Sequence, residues 1–174
     1  MKKHLTFLAL LTVTALLAQN PMPIQEWQKH FGPGDPNLHE SAEHLLRTND
    51  GDYLLAGPWN GNQAFFMKVN RFGDSLWTQT FLFGTKTTIE SCIETANGDL
   101  IAVGTCEGCV TDDPTPKIIV IKTDDAGQLL SNSVLGDPNK DVFGTAMIAT
   151  SDGGVAISGY TSVGGLVGHA VHIF

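Results

Sequence analysis

An eight-residue motif occurs three times in this chain, and this repetition limits the possible folds more than any other feature. The copies, residues 50–57, 97–104 and 152–159, each begin with Asp-Gly or Asn-Gly, continue as an apolar run and close on a glycine. Asp-Gly and Asn-Gly tolerate the positive φ angles of tight hairpin turns. Periods of about 20–50 residues are typical of repeat architectures. The sequence therefore predicts a succession of small hairpin-built units.

Turn-forming residues divide the chain into short segments. Its 174 residues include 19 glycines and 8 prolines, with many clusters of Asn, Asp and Ser, a composition typical of many short strands. The best helix candidate, residues 41–47, is shorter than the roughly 8–20 residues of an ordinary helix. We therefore expect an all-β fold.

The apolar run of each motif is apolar on both faces of the predicted strand. In the first copy, Tyr53 and Leu55 point to one side, and Leu54 and Ala56 to the other. A strand with one face in water alternates polar and apolar residues instead. Blades of a β-propeller stand side by side around a ring, which covers both faces of their strands. We predict a partial β-propeller of about three four-stranded antiparallel blades.

The repeat domain, residues 19–174, divides into units at roughly 27–81, 82–135 and 136–174. The first and third units share the run Gly-Asp-Pro-Asn and align without a gap from there to the closing glycine. The predicted strands are 42–48, 53–57, 64–69 and 75–81 in the first unit, 91–95, 100–104, 118–123 and 129–135 in the second, and 144–150, 155–159 and 170–174 in the third.

An aromatic pair near the N-terminus predicts one further strand. The spacing from Trp27 to Phe31 repeats that from Trp77 to Phe81, so residues 27–31 are expected to form a strand before the first unit. Three blades are fewer than the usual 4–8, so further blades or another copy of the chain are needed to close the ring. The stop at Phe174, within a predicted strand, favours a truncated chain.

One longer pattern links this chain to a known group of proteins. Residues 67–77 read Met-Lys-Val-Asn-Arg-Phe-Gly-Asp-Ser-Leu-Trp, and residues 121–127 repeat their start as Ile-Lys-Thr-Asp-Asp-Ala-Gly, with Ser131 at the position of Trp77. The pattern resembles the secreted β-propeller repeat proteins of bacterial surfaces, which are large chains that often carry a C-terminal sorting tail. The resemblance covers nearly all of the repeat domain. It implies a fold but no particular activity.

The N-terminus has the parts of a secretory signal peptide. Lys2 and Lys3 form a charged start, an apolar stretch follows, and Ala18 fits a cleavage site. The apolar stretch is shorter than the roughly 20 residues of a membrane-spanning helix. We expect residues 1–18 to be removed, and the domain to be secreted, or periplasmic or on the cell surface, without membrane insertion.

The balance of charge restricts the possible partners. The chain has 18 acidic against 10 basic residues, a net charge of −8. Such a surface disfavours nucleic acid and anionic membranes. A protein or a glycan is therefore the expected ligand.

Cys106-Glu107-Gly108-Cys109 is the most conspicuous local motif. A single CxxC supplies half of a zinc site, and Cys92 is the only other cysteine. In an exported protein a disulfide is favoured over a metal or redox role. It would fix the long loop Thr105–Lys117, while Cys92 is expected to be a buried free thiol.

No catalytic constellation is evident in the sequence. His169 and His172 are three apart, so in a strand they point to opposite faces and cannot share a metal. The pairs 112–113 and 124–125 offer carboxylates for glycoside hydrolysis, but adjacent side chains diverge and both pairs adjoin turns. Asp112, Asp113 and the loops of Asp35 and Asp137 offer oxygen ligands for calcium, but their spacing does not fit an EF-hand loop. No Gly-x-Ser-x-Gly motif occurs. We predict no catalytic residue, no metal and no cofactor.

The candidate binding residues lie on loops. Asp35 and Asn37 in one Gly-Asp-Pro-Asn loop match Asp137 and Asn139 in the other, and equivalent loops of a propeller share one rim. Loops on a rigid scaffold often carry function, although turn geometry alone also explains this motif. Trp59 follows the closing glycine, is expected to leave the strand, and can stack on a sugar or peptide or fill space between blades.

These patterns favour an exported, non-catalytic repeat module that presents rim loops to a protein or a glycan. The first alternative is a glycan-active enzyme on the same scaffold. A second is a quinone-dependent dehydrogenase-like propeller, because residues 124–127 resemble the tryptophan-docking repeat of that family. Ser131 in place of tryptophan weakens that second alternative.

Overall fold

The computed structural model describes residues 27–31, 40–163 and 166–173. Within them the chain is built of strands and turns, so the predicted all-β class is confirmed. The strands are β1 (His44–Arg47), β2 (Tyr53–Trp59), β3 (Gln63–Val69), β4 (Ser75–Phe81), β5 (Lys86–Thr87), β6 (Ser91–Glu94), β7 (Leu100–Glu107), β8 (Lys117–Thr123), β9 (Leu129–Leu135), β10 (Asp141–Ala149), β11 (Val155–Val163) and β12 (Leu166–Ile173). The predicted signal peptide, Asp35 and Asn37 lie outside the described residues.

The strands form three antiparallel sheets in chain order. Sheet 1 has the order β1-β2-β3-β4 and sheet 3 the order β10-β11-β12. In sheet 2, β5 and β6 both pair with β7, which continues to β8 and β9. The described sheets thus have four, five and three strands, where four, four and three were predicted within the three units.

The closing glycines explain why the first strand of each sheet is irregular. A Cβ added to Gly57, Gly104 or Gly159 would lie 1.9–2.0 Å from a backbone carbonyl oxygen of the segment that runs beside the motif on the side of that first strand. The carbonyl belongs to Ser41, Thr88 and Phe143 in turn. At these places β1 has not yet begun, β5 and β6 are separated, and β10 has a bulge. Only glycine allows such a close approach of two backbones.

The hairpin turns that open the three motifs have the same geometry. Gly51, Gly98 and Gly153 have φ angles of 90°, 90° and 88°. The threonine two residues before each Asp or Asn donates its hydroxyl to that side chain. Each turn therefore satisfies its own polar groups, as expected for Asx- and Ser/Thr-type turns.

The same side of each sheet faces the next sheet along the chain. Leu54 and Ala56 of sheet 1 belong to one apolar cluster with Leu100 and Ala102 of sheet 2. From the other side of sheet 2, Val103 packs in a second cluster, together with Val155 and Ile157 of sheet 3. Sheet 2 is thus covered on both faces, as the double-sided apolar pattern predicts.

The predicted strand at Trp27–Phe31 is wrong. These residues have no strand structure and lie across the outer face of sheet 1, the face turned away from sheet 2. The Trp27 indole donates a 2.8 Å hydrogen bond to the carbonyl oxygen of Arg71, and its ring packs edge-on against Tyr53. Two aromatic side chains cover apolar surface here, so equal aromatic spacing did not indicate strand pairing.

Seven strands are longer than predicted, and in β2 and β7 the difference changes a further prediction. β2 continues through Pro58 to Trp59, which pairs with Gln63, so the expectation that Trp59 leaves the strand is wrong. Proline is tolerated there because the β1–β2 pairing ends at Ala56, and beyond it β2 is an edge. β7 likewise extends to Glu107, which shortens the predicted loop to residues 108–116.

Candidate functional site

The two ends of the sheets differ in how their polar groups are used. The end of the sheets that carries the turns at 48–52, 70–74, 95–99, 124–128 and 150–154 is called the lower rim. The opposite end, which carries the β2–β3 turn, the β7–β8 loop and the β9–β10 connection, is called the upper rim. Among the described residues, a cleft beside Trp59 and a cleft beside Asn139 open at the upper rim.

Lower-rim side chains are engaged in their own turns. Asp50 accepts bonds from Thr48 and, at 2.6 Å, from the Lys68 ammonium, and these contacts lower the pKa of Asp50 to about 2, with Lys68 the largest cause. The Asn70 and Asp124 side chains each accept two backbone amides of their turns. The prediction that Asp124 serves a turn is confirmed.

The Trp59 cleft lies at the upper end of the outer face of sheet 1. β2 and β3 place Trp59 and Phe65 side by side, with ring centroids 5.5 Å apart. Phe31 approaches from the N-terminal segment. The cleft has a volume of about 170 Å³. It is lined by these aromatic residues together with Lys29, His30, Glu40, Ser41, Ala42, Leu55 and Met67.

Among the described residues, Glu40 has the one buried side-chain oxygen without a hydrogen-bond partner. Its Oε1 atom is shielded from solvent and no donor of the described residues reaches it. The neighbouring Ser41 hydroxyl donates to Glu43 at 2.6 Å instead, and the Lys29 ammonium pairs with Asp74. Burying a carboxylate oxygen without a hydrogen bond is unfavourable, so a donor in the cleft would be favourable if the carboxylate turns this atom toward it.

The Asn139 cleft lies between the β7–β8 loop and the β9–β10 connection, and its volume is about 230 Å³. A buried ion pair forms its floor: the Lys117 ammonium lies 3.0 Å from Asp113 and donates to the carbonyl oxygen of Lys140 at 2.9 Å. Asp113 also accepts the backbone amide of Asn139 at 2.9 Å. Contacts with Thr115, then Asn139 and Lys117, hold the pKa of Asp113 well below its usual range.

These contacts give the second Gly-Asp-Pro-Asn loop a structural role. Asn139 lines the cleft in a left-handed conformation, with φ of 57°. Asp137 forms an ion pair with Lys140 at 2.6 Å. Trp59 therefore belongs to one cleft and Asn139 to another, and the structure does not bring these predicted binding residues into a single site.

The cysteines stabilise the loop beside the Asn139 cleft. Cys106, at the end of β7, and Cys109 are joined by a disulfide. Cys92 is free and buried, and burial raises the pKa of its thiol to about 12. A thiol that does not ionise is a poor nucleophile and metal ligand.

Two further observations concern ions and membranes. In the part of the chain that the structure describes, no three His, Cys, Asp or Glu side chains are placed to hold a metal ion. Over the same residues, no helix is long and apolar enough to cross a bilayer.

Comparisons with known proteins give no family for this chain. No protein-family model matches it, and no curated protein has a similar sequence. The class that the structure defines is an all-β protein of three stacked antiparallel sheets. The resemblance to secreted propeller repeat proteins stays a prediction.

Sequence reasoning missed Glu40 and the pair Asp113–Lys117. Lys117 could have been noticed, because it is a charged residue that is followed directly by four apolar residues. Glu40 has no such signal. It becomes unusual only in the folded chain, where one of its oxygens is buried without a partner among the described residues.

Proposed function

We propose that this chain is an exported, non-catalytic binding module of the β-propeller type, which holds a glycan or protein ligand at its upper rim. The difference between the two rims carries the proposal. Lower-rim side chains are used within their turns, whereas the upper rim has two open clefts, one of them with an aromatic wall and an unpartnered carboxylate oxygen. Ligand sites typically combine apolar walls with a few polar groups of this kind.

The propeller assignment is supported by the uniform direction of packing. Leu54 and Ile101 hold equivalent positions in their motifs, and each faces the next sheet. Ala156 holds the same position in sheet 3, on the face that also carries the 66% exposed Ile148. We propose that a further sheet, from a longer chain or from another copy, packs on this face.

A non-catalytic role is supported by how the carboxylates are used. Asp113 is engaged by Lys117, Thr115 and Asn139, and Asp124 by the amides of its turn. A glycosidase needs two carboxyl groups about 5–9.5 Å apart across an open cleft. Neither acidic pair offers two unengaged carboxylates.

A glycan array combined with a turnover assay tests this proposal. The purified protein should bind a subset of glycans without releasing sugar. Trp59→Ala should lower the affinity at least about tenfold, because an aromatic anchor is removed from the cleft wall. Phe72→Ala, an exposed aromatic of the lower rim, is the matched control and should bind normally. Sugar release would favour the enzyme alternative, and absence of any glycan or protein ligand would contradict the proposal.

A further inference from the structure

We infer that the Trp59 cleft recognises a ligand that carries an ammonium group, an inference that rests on the proposed binding function. Its starting point is Glu40, whose buried Oε1 has no donor among the described residues. A carboxylate in this situation gains most from a partner that supplies both a hydrogen bond and a positive charge. An ammonium group supplies both.

The aromatic wall favours the same group. Phe31, Trp59 and Phe65 line the cleft together with Glu40. Cations are attracted to the faces of aromatic rings within about 6 Å, most strongly to tryptophan. Glu40 and the rings therefore form one site that is selective for a positive headgroup over a neutral one of the same shape.

The basic residues of the cleft do not already supply that charge. Lys29 forms an ion pair with Asp74, so its ammonium is already engaged. His30 is exposed and its Nε2 lies 3.5 Å from the side-chain amide of Gln28. Among the described residues that line the cleft, no cation contacts Oε1.

The size of the cleft sets what it can hold. Its volume of about 170 Å³ is below the roughly 300–1,000 Å³ of sites for drug-sized ligands. The cleft therefore fits a single headgroup, such as one amino sugar residue, and the rest of a larger ligand lies outside it. The net charge of −8 also favours the approach of cations.

The test compares ligands that differ in charge. Glucosamine, N-acetylglucosamine and glucose are titrated separately into the full chain, below the pH at which the amine of glucosamine loses its proton. Glucosamine should bind at least tenfold more tightly than the two neutral sugars. Equal affinity for charged and neutral sugars would overturn the inference.

Two variants identify the residue responsible. Glu40→Gln keeps the shape but removes the charge, and should weaken glucosamine binding about tenfold or more while leaving the weak glucose affinity unchanged. Glu43→Gln, an exposed carboxylate three residues away, should bind like the wild type. If the array finds a ligand but Glu40→Gln has no effect on it, the ammonium inference fails and the binding function stands. If no ligand of any class binds, both fail.

Discussion

Replacing Gly104 by alanine tests whether the closing glycine of the motif is required by backbone proximity. An added Cβ would lie 1.9 Å from the carbonyl oxygen of Thr88, 2.6 Å from its carbonyl carbon and 2.9 Å from Cα of Ile89. All three atoms belong to the backbone, so no side-chain rotation relieves the clash. The segment between β5 and β6 must move to make room for the methyl group.

That movement has a cost that can be worked out from the contacts it disturbs. Overpacking costs about 1–3 kcal/mol. The displaced segment also makes two backbone hydrogen bonds to β7, from Thr88 to Thr105 at 2.8 Å and from Glu90 to Val103 at 2.9 Å, each worth about 1 kcal/mol. Removal of glycine flexibility from the unfolded chain returns about 0.4–1 kcal/mol. We expect a net destabilisation of about 3 kcal/mol.

Urea and thermal unfolding followed by circular dichroism measure this loss. For a domain of this size, about 3 kcal/mol lowers Tm by about 6–12 °C. Gly168→Ala is the matched control, because a Cβ there meets only the rotatable hydroxyl of Thr161 at 3.3 Å, and it should stay within about 0.5 kcal/mol of the wild type. If Gly104→Ala were as stable as this control, the close-approach explanation of the motif would be wrong.

Two further predictions concern ionisable groups. Because Lys68 and Thr48 lower the pKa of Asp50 to about 2, its stabilising effect is complete above the unfolded pKa of about 3.9 and is lost as the pH falls from about 4 to about 2. Asp50→Asn should therefore reduce the pH dependence of the free energy of unfolding in that window, and lower this free energy by about 0.5 kcal/mol at pH 7. An unchanged acid transition would refute the role of the ion pair. Cys92, whose pKa burial raises to about 12, should react with a thiol reagent at about pH 8 only after unfolding in urea, and rapid labelling of the native protein would show that the thiol is accessible.

The strands and turns of this chain were largely predictable because their determinants are local. Ser75–Phe81 and Leu129–Leu135 have the predicted bounds, since Gly73 and Gly127 mark the turns before them, with φ of 79° and 78°. The bounds failed where the neighbouring strand decides the outcome. β2 reaches Trp59 because it stays paired with β3, while its free edge on the β1 side accommodates Pro58. No local pattern in the sequence predicts this arrangement of neighbours.

The clefts could not be predicted, because each joins segments that are distant in the sequence. Asp113 and Asn139 are 26 residues apart and meet only when the β7–β8 loop folds against the connection to sheet 3. Glu40 and Trp59 meet only when residues 40–42 lie beside the extended end of β2. Composition indicated which residue types are able to bind a ligand, but tertiary contacts determined which of them were already engaged.

The location of the Asn139 cleft follows from how a meander of this kind is connected. Hairpins at the lower rim join strands of one sheet, so short turns with internal hydrogen bonds suffice. Connections from one sheet to the next leave from the upper rim, where β4 leads to β5 and β9 to β10. Those connections must span the distance between sheets, and the spaces beneath them are the places where side chains from two sheets or segments converge. The Asn139 cleft is therefore a consequence of the same topology that makes the lower rim compact.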